Sequence, residues 1–408
     1  MSKVKIIPDL RFPEFENEGE WDKPKLSSVS DVIMGSSPSS LSYNENKIGL
    51  PLLQGNADIK NRLSTPRIYT TEITKECEIG DILLSVRAPV GTVAKSLHNA
   101  CIGRGISALS ATKPNSQEYI YQWLFSYESS WAKISQGGTF DAVNSDDIKN
   151  LLVPIPKPKE QQKIASCLSS LDALITAQSE KIEQLKLHKK GLMQNLFPQE
   201  GEKVPKYRFK EFENDGEWVE KSLEYLTVKI GDGIHTTPKY DPSGKYYFIN
   251  GNNLIEGKIV VDEKTKRVSS EEFEIHKKHL TKKTIFLSIN GTIGNLAFYN
   301  NEMVVLGKSA CYITPSQKLN NVFLYYSLQS PSINDYFISE LTGSTIKNLS
   351  LKSIRETAIN LPSEIEQQKI TSCLSSLDAL ITAQAEKIEQ LKLHKKGLLQ
   401  GLFPKINE

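Results

Sequence analysis

Residues able to do covalent chemistry are few in this chain, and they stand apart from one another. His235, in the segment DGIHTTP (Asp232–Pro238), is the side chain best suited to act as a base or metal ligand, but no second histidine or cysteine lies at ligand spacing. GDG at Gly231–Gly233 is too short for a nucleotide loop and reads as a turn. The chain has no Walker-type phosphate loop, no His-Glu-x-x-His, and no Gly-x-Gly-x-x-Gly opening a helix. It also lacks the NPPY-type motif and Gly-rich cofactor loop of amino-methyltransferases. Cys77, Cys101, Cys167, Cys311 and Cys373 are dispersed, which argues against a zinc site or disulfide framework and for reduced thiols in a cytoplasm. The expectation is a non-enzyme with no metal and no cofactor of its own. What remains is recognition.

The elements that would position recognition residues are written twice. Glu160–Pro198 reads EQQKIASCLSSLDALITAQSEKIEQLKLHKKGLMQNLFP, and Glu366–Pro404 repeats it except at Ala165/Thr371, Ser179/Ala385, Met193/Leu399 and Asn195/Gly401. RFPEFENEGEW (Arg11–Trp21) recurs as RFKEFENDGEW (Arg208–Trp218). Each long copy has apolar residues spaced three and four apart: Leu168, Leu171, Ile175, Ile182 and Leu185 in the first, Leu374, Leu377, Ile381, Ile388 and Leu391 in the second. That spacing draws one seam along a helix, which needs a partner helix to cover it. Gln178 and Gln384 interrupt the seam at the same point, as a register-fixing polar residue or as a seam edge touching water. Pro158 and Pro198 bracket the first helix, and Pro362 and Pro404 the second. Some 36 residues give a rod of roughly 54 Å. The KLHKK stretches (Lys186–Lys190, Lys392–Lys396) suit either a partner surface or cations near a helix C-terminus. The two rods are expected to pair with each other, antiparallel, about an approximate two-fold axis, with the chain ends close together.

The 408 residues exceed one ordinary core, no apolar run approaches the ~20 residues of a membrane span, and the N-terminus lacks the apolar stretch of a signal peptide. Residues 22–150 and 219–355 look different from each other but share a faint skeleton. PLLQGNADI (Pro51–Ile59) parallels FINGNNLI (Phe248–Ile255). GDILLSVRAPVGTVA (Gly80–Ala94) parallels KTIFLSINGTIGNLA (Lys283–Ala297), aligning Ser85 with Ser288 and Gly91 with Gly294. IGRGISAL (Ile102–Leu109) matches LGKSACYI (Leu306–Ile313). Short β-branched runs broken by Gly, Asn and Pro read as strands and turns, with helices over 118–133 and 322–341. The net charge of +2 points to no partner, although residues 219–355 carry a modest surplus of Lys and Arg. The fold class expected is α+β: two pseudo-symmetric globular α/β domains separated by two long antiparallel coiled-coil helices.

The whole arrangement resembles the DNA-specificity subunit of type I restriction-modification systems. The resemblance rests on the duplicated helix with EQQKI…LD.LI…KI..LK..KKGL.Q.LFP, on the LPxxxEQQKI lead-in (Leu361–Ile370), and on GDGIHTTP (Gly231–Pro238). It implies a target-recognition domain over 1–157, a spacer helix over 158–198, a second recognition domain over 199–361 and a second spacer over 362–408. Each domain would read one half of a split, asymmetric double-stranded DNA site. The helix pair would set the gap and dock two methyltransferase subunits. Those partners would carry S-adenosylmethionine and methylate adenine at N6, and motor-nuclease (restriction) subunits would join for cleavage. Two other readings stay open: a coiled-coil scaffold whose variable units bind peptides, and a DNA adaptor for a different effector. A single-chain methyltransferase with a degenerate site is disfavoured by the missing motifs.

Base edges are read mainly by Arg, Lys, Asn and Gln carried on loops. On that ground the first domain offers Gln54, Asn56, Arg62, Arg67, Arg87, Arg104 and Thr139. The second offers His235, Thr236, Lys239, Asn250, Asn252, Asn290, Lys308 and Lys347. Each of these also suits a solvated loop or a turn cap, and Asn56 and Asn252 follow glycines that commonly make turns.

Overall fold

The computed structural model describes residues 6–131, 142–343 and 347–404. The chain forms two compact units, residues 1–180 with 385–408 and residues 181–384. Each takes one variable segment together with half of each long helix. Among the described residues no helix is long and apolar enough to cross a membrane, and no His, Cys, Asp and Glu cluster is arranged to hold a metal ion.

In the first unit, strand Ile82–Ser85 is buried along its whole length. Because successive side chains point to opposite faces, Ile82 and Leu84 enter one core, with Trp21, Trp123 and Leu168. Leu83 enters a second, with Leu53, Ala94 and Ile102. This strand lies in a sheet ordered Ser30–Met34, Ile106–Ala111, Ile82–Ser85, Val93–Lys95, Leu63–Ser64 and Ile59–Lys60. Across the second core runs another sheet, in which Leu50–Leu53 pairs parallel with Ala100–Ile102 and antiparallel with Ile68–Thr70.

The second unit repeats the plan. Strand Ile285–Ser288 sends Ile285 and Leu287 to one core and Phe286 to the other. Its sheet runs Thr227–Asp232, Ala310–Pro315, Ile285–Ser288 and Leu296–Phe298. Tyr246–Ile249 pairs parallel with Val304–Leu306 and antiparallel with Arg267–Val268. The skeleton aligned from sequence is therefore a shared topology. Ser85 and Ser288 accept from the amides of Thr92 and Asn295 through their hydroxyls (2.9 and 2.8 Å). Gly91 and Gly294, at φ +92° and +88°, take a backbone shape that favours glycine, and their amides donate back to the Ser85 and Ser288 carbonyls.

Two helices differ from expectation. The one expected over 118–133 spans Gln117–Tyr127 and tightens into a 3-10 turn at Glu128–Ser130. The one expected over 322–341 is two, Asn321–Ser327 and Pro331–Ser339, because Pro331 has no amide to continue the first and is pre-set to open the second. GDG is not a free turn either, since Gly231 and Asp232 close the strand Thr227–Asp232.

The long helices span Pro158–Asn195 and Glu364–Leu402. They run antiparallel: the Lys395 ammonium reaches both oxygens of Asp172 (2.6 and 2.7 Å) in the first unit. Lys189 meets Asp378 (2.6 Å) in the second. Each lysine also lies over a ring of its own domain's helix, Lys395 above Phe125 and Lys189 above Tyr326. The carboxylates are shared in turn: Asp172 accepts from the Gln122 amide (2.8 Å) and Asp378 from the Tyr326 hydroxyl (2.7 Å). The KLHKK stretches thus place one lysine each between rod and domain. Burial lowers the Lys395 pKa against the opposing pull of Asp172. Gln178 and Gln384 are half-buried with their side-chain carbonyls enclosed and unpartnered among the described residues, which favours the polar-seam reading over the wet edge.

The shorter duplicate has a structural explanation. Arg11 clasps Glu160 through two bonds (2.7 and 2.8 Å), and Arg208 clasps Glu366 in the same way (2.8 Å each). The segment before each arginine is tied to the end of a long helix: Leu10 N–H donates to Gly401 O (2.8 Å), and Tyr207 N–H to Asn195 O (2.9 Å). Residues near the two chain ends are therefore neighbours, as the cyclic repeat requires. Outside each clasp, Lys163 pairs with Glu14 and Lys369 with Glu211, and hydrogen bonding to those lysines lowers both carboxyl pKa values from 4.5. A depressed carboxyl pKa contributes stability that is complete above the unfolded value and lost as pH falls through the folded one. Thermal melts between pH 6 and pH 3 are expected to show a steeper acid loss for the wild type than for K163A/K369A. Parallel curves would refute this.

Candidate nucleic-acid interface

Several of the candidate recognition residues stand where strands end and neighbouring segments approach too closely for side chains. In the first domain, a Cβ on Gly35 would lie 2.2 Å from Gly103 O, and one on Gly105 would lie 2.2 Å from Gln54 O. Three turns are thereby pressed together: Gly35–Ser37, Gln54–Asn56 and Gly103–Gly105. Gln54 donates from its side-chain amide to the Tyr43 hydroxyl (2.9 Å), and its backbone N–H bonds Asp58 (2.8 Å). Ser37 Oγ accepts from the Arg104 backbone N–H (3.1 Å) and from its Nε (3.4 Å), and the arginine is exposed. Arg87 is exposed on the turn after strand Ile82–Ser85, bridged to Ala142.

The second domain builds the same junction from different letters. A Cβ on Gly233 would lie 2.2 Å from Leu306 O, and one on Gly307 would lie 2.2 Å from Asn250 Oδ1. Asn250 accepts from Ser309 Oγ (2.8 Å), which itself accepts from Gly251 N–H (3.0 Å). Asn290 is bridged to Asn348, with Gly291 N–H donating to Lys347 O (3.1 Å). Lys308 and Lys347 are exposed beside this turn, as are His235 and Thr236 on the loop that Gly233 brings in. His235 Nε2 lies 2.7 Å from Asp232 Oδ2, which fixes its ring at the surface. Gln54 is thus equivalent to Asn250, Arg87 to Asn290 and Arg104 to Lys308.

Not every candidate joins the cluster. Arg62 is engaged elsewhere: its guanidinium forms an ion pair with Glu128 and packs on the Phe125 ring at 4.6 Å. Arg67 is held by the buried Asp58 (2.8 Å), and Asn56 has its side-chain oxygen enclosed. Asn252 and Lys239 are exposed near the junction, and Thr139 lies outside the described residues. Residue type alone missed Ser36, Ser37, Ser309 and Asn348. Placing GSSPSS (Gly35–Ser40) opposite GIHTTP (Gly233–Pro238), each following an equivalent strand, is the signal that would have found Ser36 and Ser37.

Comparison with known proteins meets this duplicated junction directly. A family model described as the type I restriction modification DNA specificity domain matches twice, over residues 18–187 and 216–393. The chain belongs to the type I restriction-modification DNA specificity family. A putative type I restriction enzyme MjaX specificity subunit from Methanocaldococcus jannaschii is 34% identical over 43% of this chain, a match spanning 42% of that protein's length. The MjaIX specificity subunit of the same organism is 25% identical over 94% of the chain and 92% of its own length. The crystal structure of a type I system S subunit from M. genitalium covers 98% of the chain and all of its own, at 18% identity and a TM-score of 0.60, a likeness of fold. This chain is accordingly a DNA specificity subunit, and each match of the family model covers one variable domain and most of the helix after it.

Proposed function

We propose that each domain of this specificity subunit reads one half of a bipartite, asymmetric DNA site, and that the helix pair sets the gap and docks two methyltransferase subunits. The observation that carries this is the junction built twice on one frame with different polar tips: Gln54, Arg87 and Arg104 against Asn250, Asn290 and Lys308. The strand frame is common to both domains while these polar tips differ, as expected of one task performed on two targets. Arginine and lysine favour guanine O6 and N7, and asparagine and glutamine favour adenine N6 and N7. Half-sites read from one face of the duplex lie about one turn apart, ~34 Å. A helix of some 38 residues, ~57 Å long, spans that distance.

In this reading the chain supplies no catalytic group and binds no cofactor. S-adenosylmethionine belongs to the partner methyltransferases, which modify one adenine in each half-site, and motor-nuclease subunits complete the restriction complex. The test is to co-express the chain with its methyltransferase and map N6-methyladenine in host DNA by single-molecule sequencing. The expected result is one split motif with methylated adenines on both sides of a fixed gap. A stable complex that leaves the DNA unmethylated would favour the interaction-scaffold reading instead.

A further inference from the structure

We infer that the second domain carries a phosphate-gripping ridge, formed by Lys264 and Lys266 beside Tyr240, which clamps the DNA backbone beside its reading junction and has no counterpart in the first domain. A cleft of about 420 Å3 opens next to Asn250, lined by Tyr240, Phe248, Asn252, Lys264 and Lys266. Lys266 Nζ lies 4.1 Å above the Tyr240 ring, and that ring packs edge-on against Phe248. On the opposite face of the same strand, Arg267 stands 4.8 Å over the Tyr247 ring and donates to its hydroxyl (3.0 Å). Among the described residues neither Lys264 nor Lys266 has a carboxylate within ion-pair distance. Asp262, the acid lining the cleft, accepts from Thr265 Oγ (2.7 Å) and from the Lys264 backbone N–H (3.1 Å). The ring beneath Lys266 holds that cation in place without neutralising it, which suits an anionic partner.

Strand register shows why the first domain lacks such a ridge. Leu53 and Ile249 hold the same place against their parallel neighbours, Ile102 and Leu306. Counting back along the antiparallel partners then sets Tyr69 where Arg267 stands and Ile68 where Lys266 stands. Arg67, the remaining cation on this edge of the first domain, is neutralised by Asp58. The corresponding anchor in the second domain is the uncharged Asn253, whose side chain accepts from Asn250 N–H (2.9 Å) just as Asp58 accepts from Gln54 N–H. Exchanging a buried carboxylate for an amide leaves the neighbouring cations free for phosphate. The two domains therefore divide the work unequally: both specify bases, and the second supplies more of the sequence-independent grip.

This inference rests on the reading of the Asn250 junction as DNA-facing. The test uses the full-length chain in complex with its methyltransferase subunits and a duplex bearing its own methylation motif. Dissociation constants are measured across salt concentrations, with phosphate-ethylation interference on each strand, for wild type, K264A/K266A and, as comparator, R67A. The double variant is expected to flatten the log–log salt slope by about 2, at roughly 0.9 per phosphate contact, and to weaken binding about tenfold near 0.1 M salt. Its methylation motif should stay unchanged, with interference lost only on backbone flanking the second half-site. R67A should leave the slope as it is. A wild type that prefers its motif, with slope and interference unaltered in K264A/K266A, would overturn the ridge alone. A wild type with no preference for the motif would overturn the reader model and the ridge with it.

Discussion

Arg208→Ala is expected to destabilise the second unit by about 3–5 kcal/mol, the usual consequence of leaving one member of a buried ion pair uncompensated. Glu366 is 1% exposed and both its oxygens are spent on Arg208, so removing the arginine strands a carboxylate that water does not reach. The loss comes from the abandoned charge more than from the bond itself. R208M/E366L, which removes both charges, should therefore recover most of it. Tryptophan fluorescence separates the units, because Trp218 is the one tryptophan of residues 181–384 and Trp21, Trp123 and Trp131 belong to the other. Urea unfolding followed at Trp218 should shift in R208A and largely return in the double variant. Arg11→Ala should shift the remaining signal through Glu160. A double variant as unstable as R208A would mean that packing by the arginine stem, and not charge, holds the joint.

Arg104→Ala and Lys308→Ala are expected to relax opposite halves of one motif. Both side chains lie at the same point of the shared junction, exposed just after a closely packed glycine, Gly103 or Gly307. A good bidentate contact to a base is worth about 1–3 kcal/mol of discrimination, or roughly 5- to 150-fold. In the methylation map R104A should make one position in one half-site degenerate and leave the other half intact, and K308A should do the reverse. A loss shared equally by both halves would show that these cations hold phosphate and do not read bases.

The parts of this architecture legible in the sequence were those encoded by periodicity. Spacing of three and four exposed the seam from Leu168 to Leu185 and its twin, and β-branched runs beside Gly and Pro exposed strands such as Ile82–Ser85 and Ile285–Ser288. Partnership across the fold was not legible. Lys189 and Lys395 sit within the seam spacing, but nothing local says that Asp378 and Asp172 face them. The RF.EFEN duplicate was plain as text, while its cause, an arginine reaching a glutamate about 150 residues away, belongs to tertiary structure. The recognition set suffered in the same way. Arg62 and Arg67 have the right chemistry for DNA, but internal carboxylates already use it, and only coordinates distinguish a paired arginine from a free one. GSSPSS and GIHTTP (Gly233–Pro238) share only their first glycine, because a surface that must differ between domains leaves no common pattern to read.

Leu399, Leu402 and Phe403 lie in the core of the first unit, where the Phe403 ring packs at 5.4 Å on Tyr119. That core is assembled from residues made early and residues made almost 300 positions later. The second unit is continuous from Lys181 to Gln384 and draws on nothing beyond. During synthesis at about 5–20 residues per second, Tyr119 and Trp123 must therefore wait tens of seconds for the strip that covers them. The part of the chain translated first is the last to close, so chaperone dependence and aggregation during expression should concentrate in the first domain.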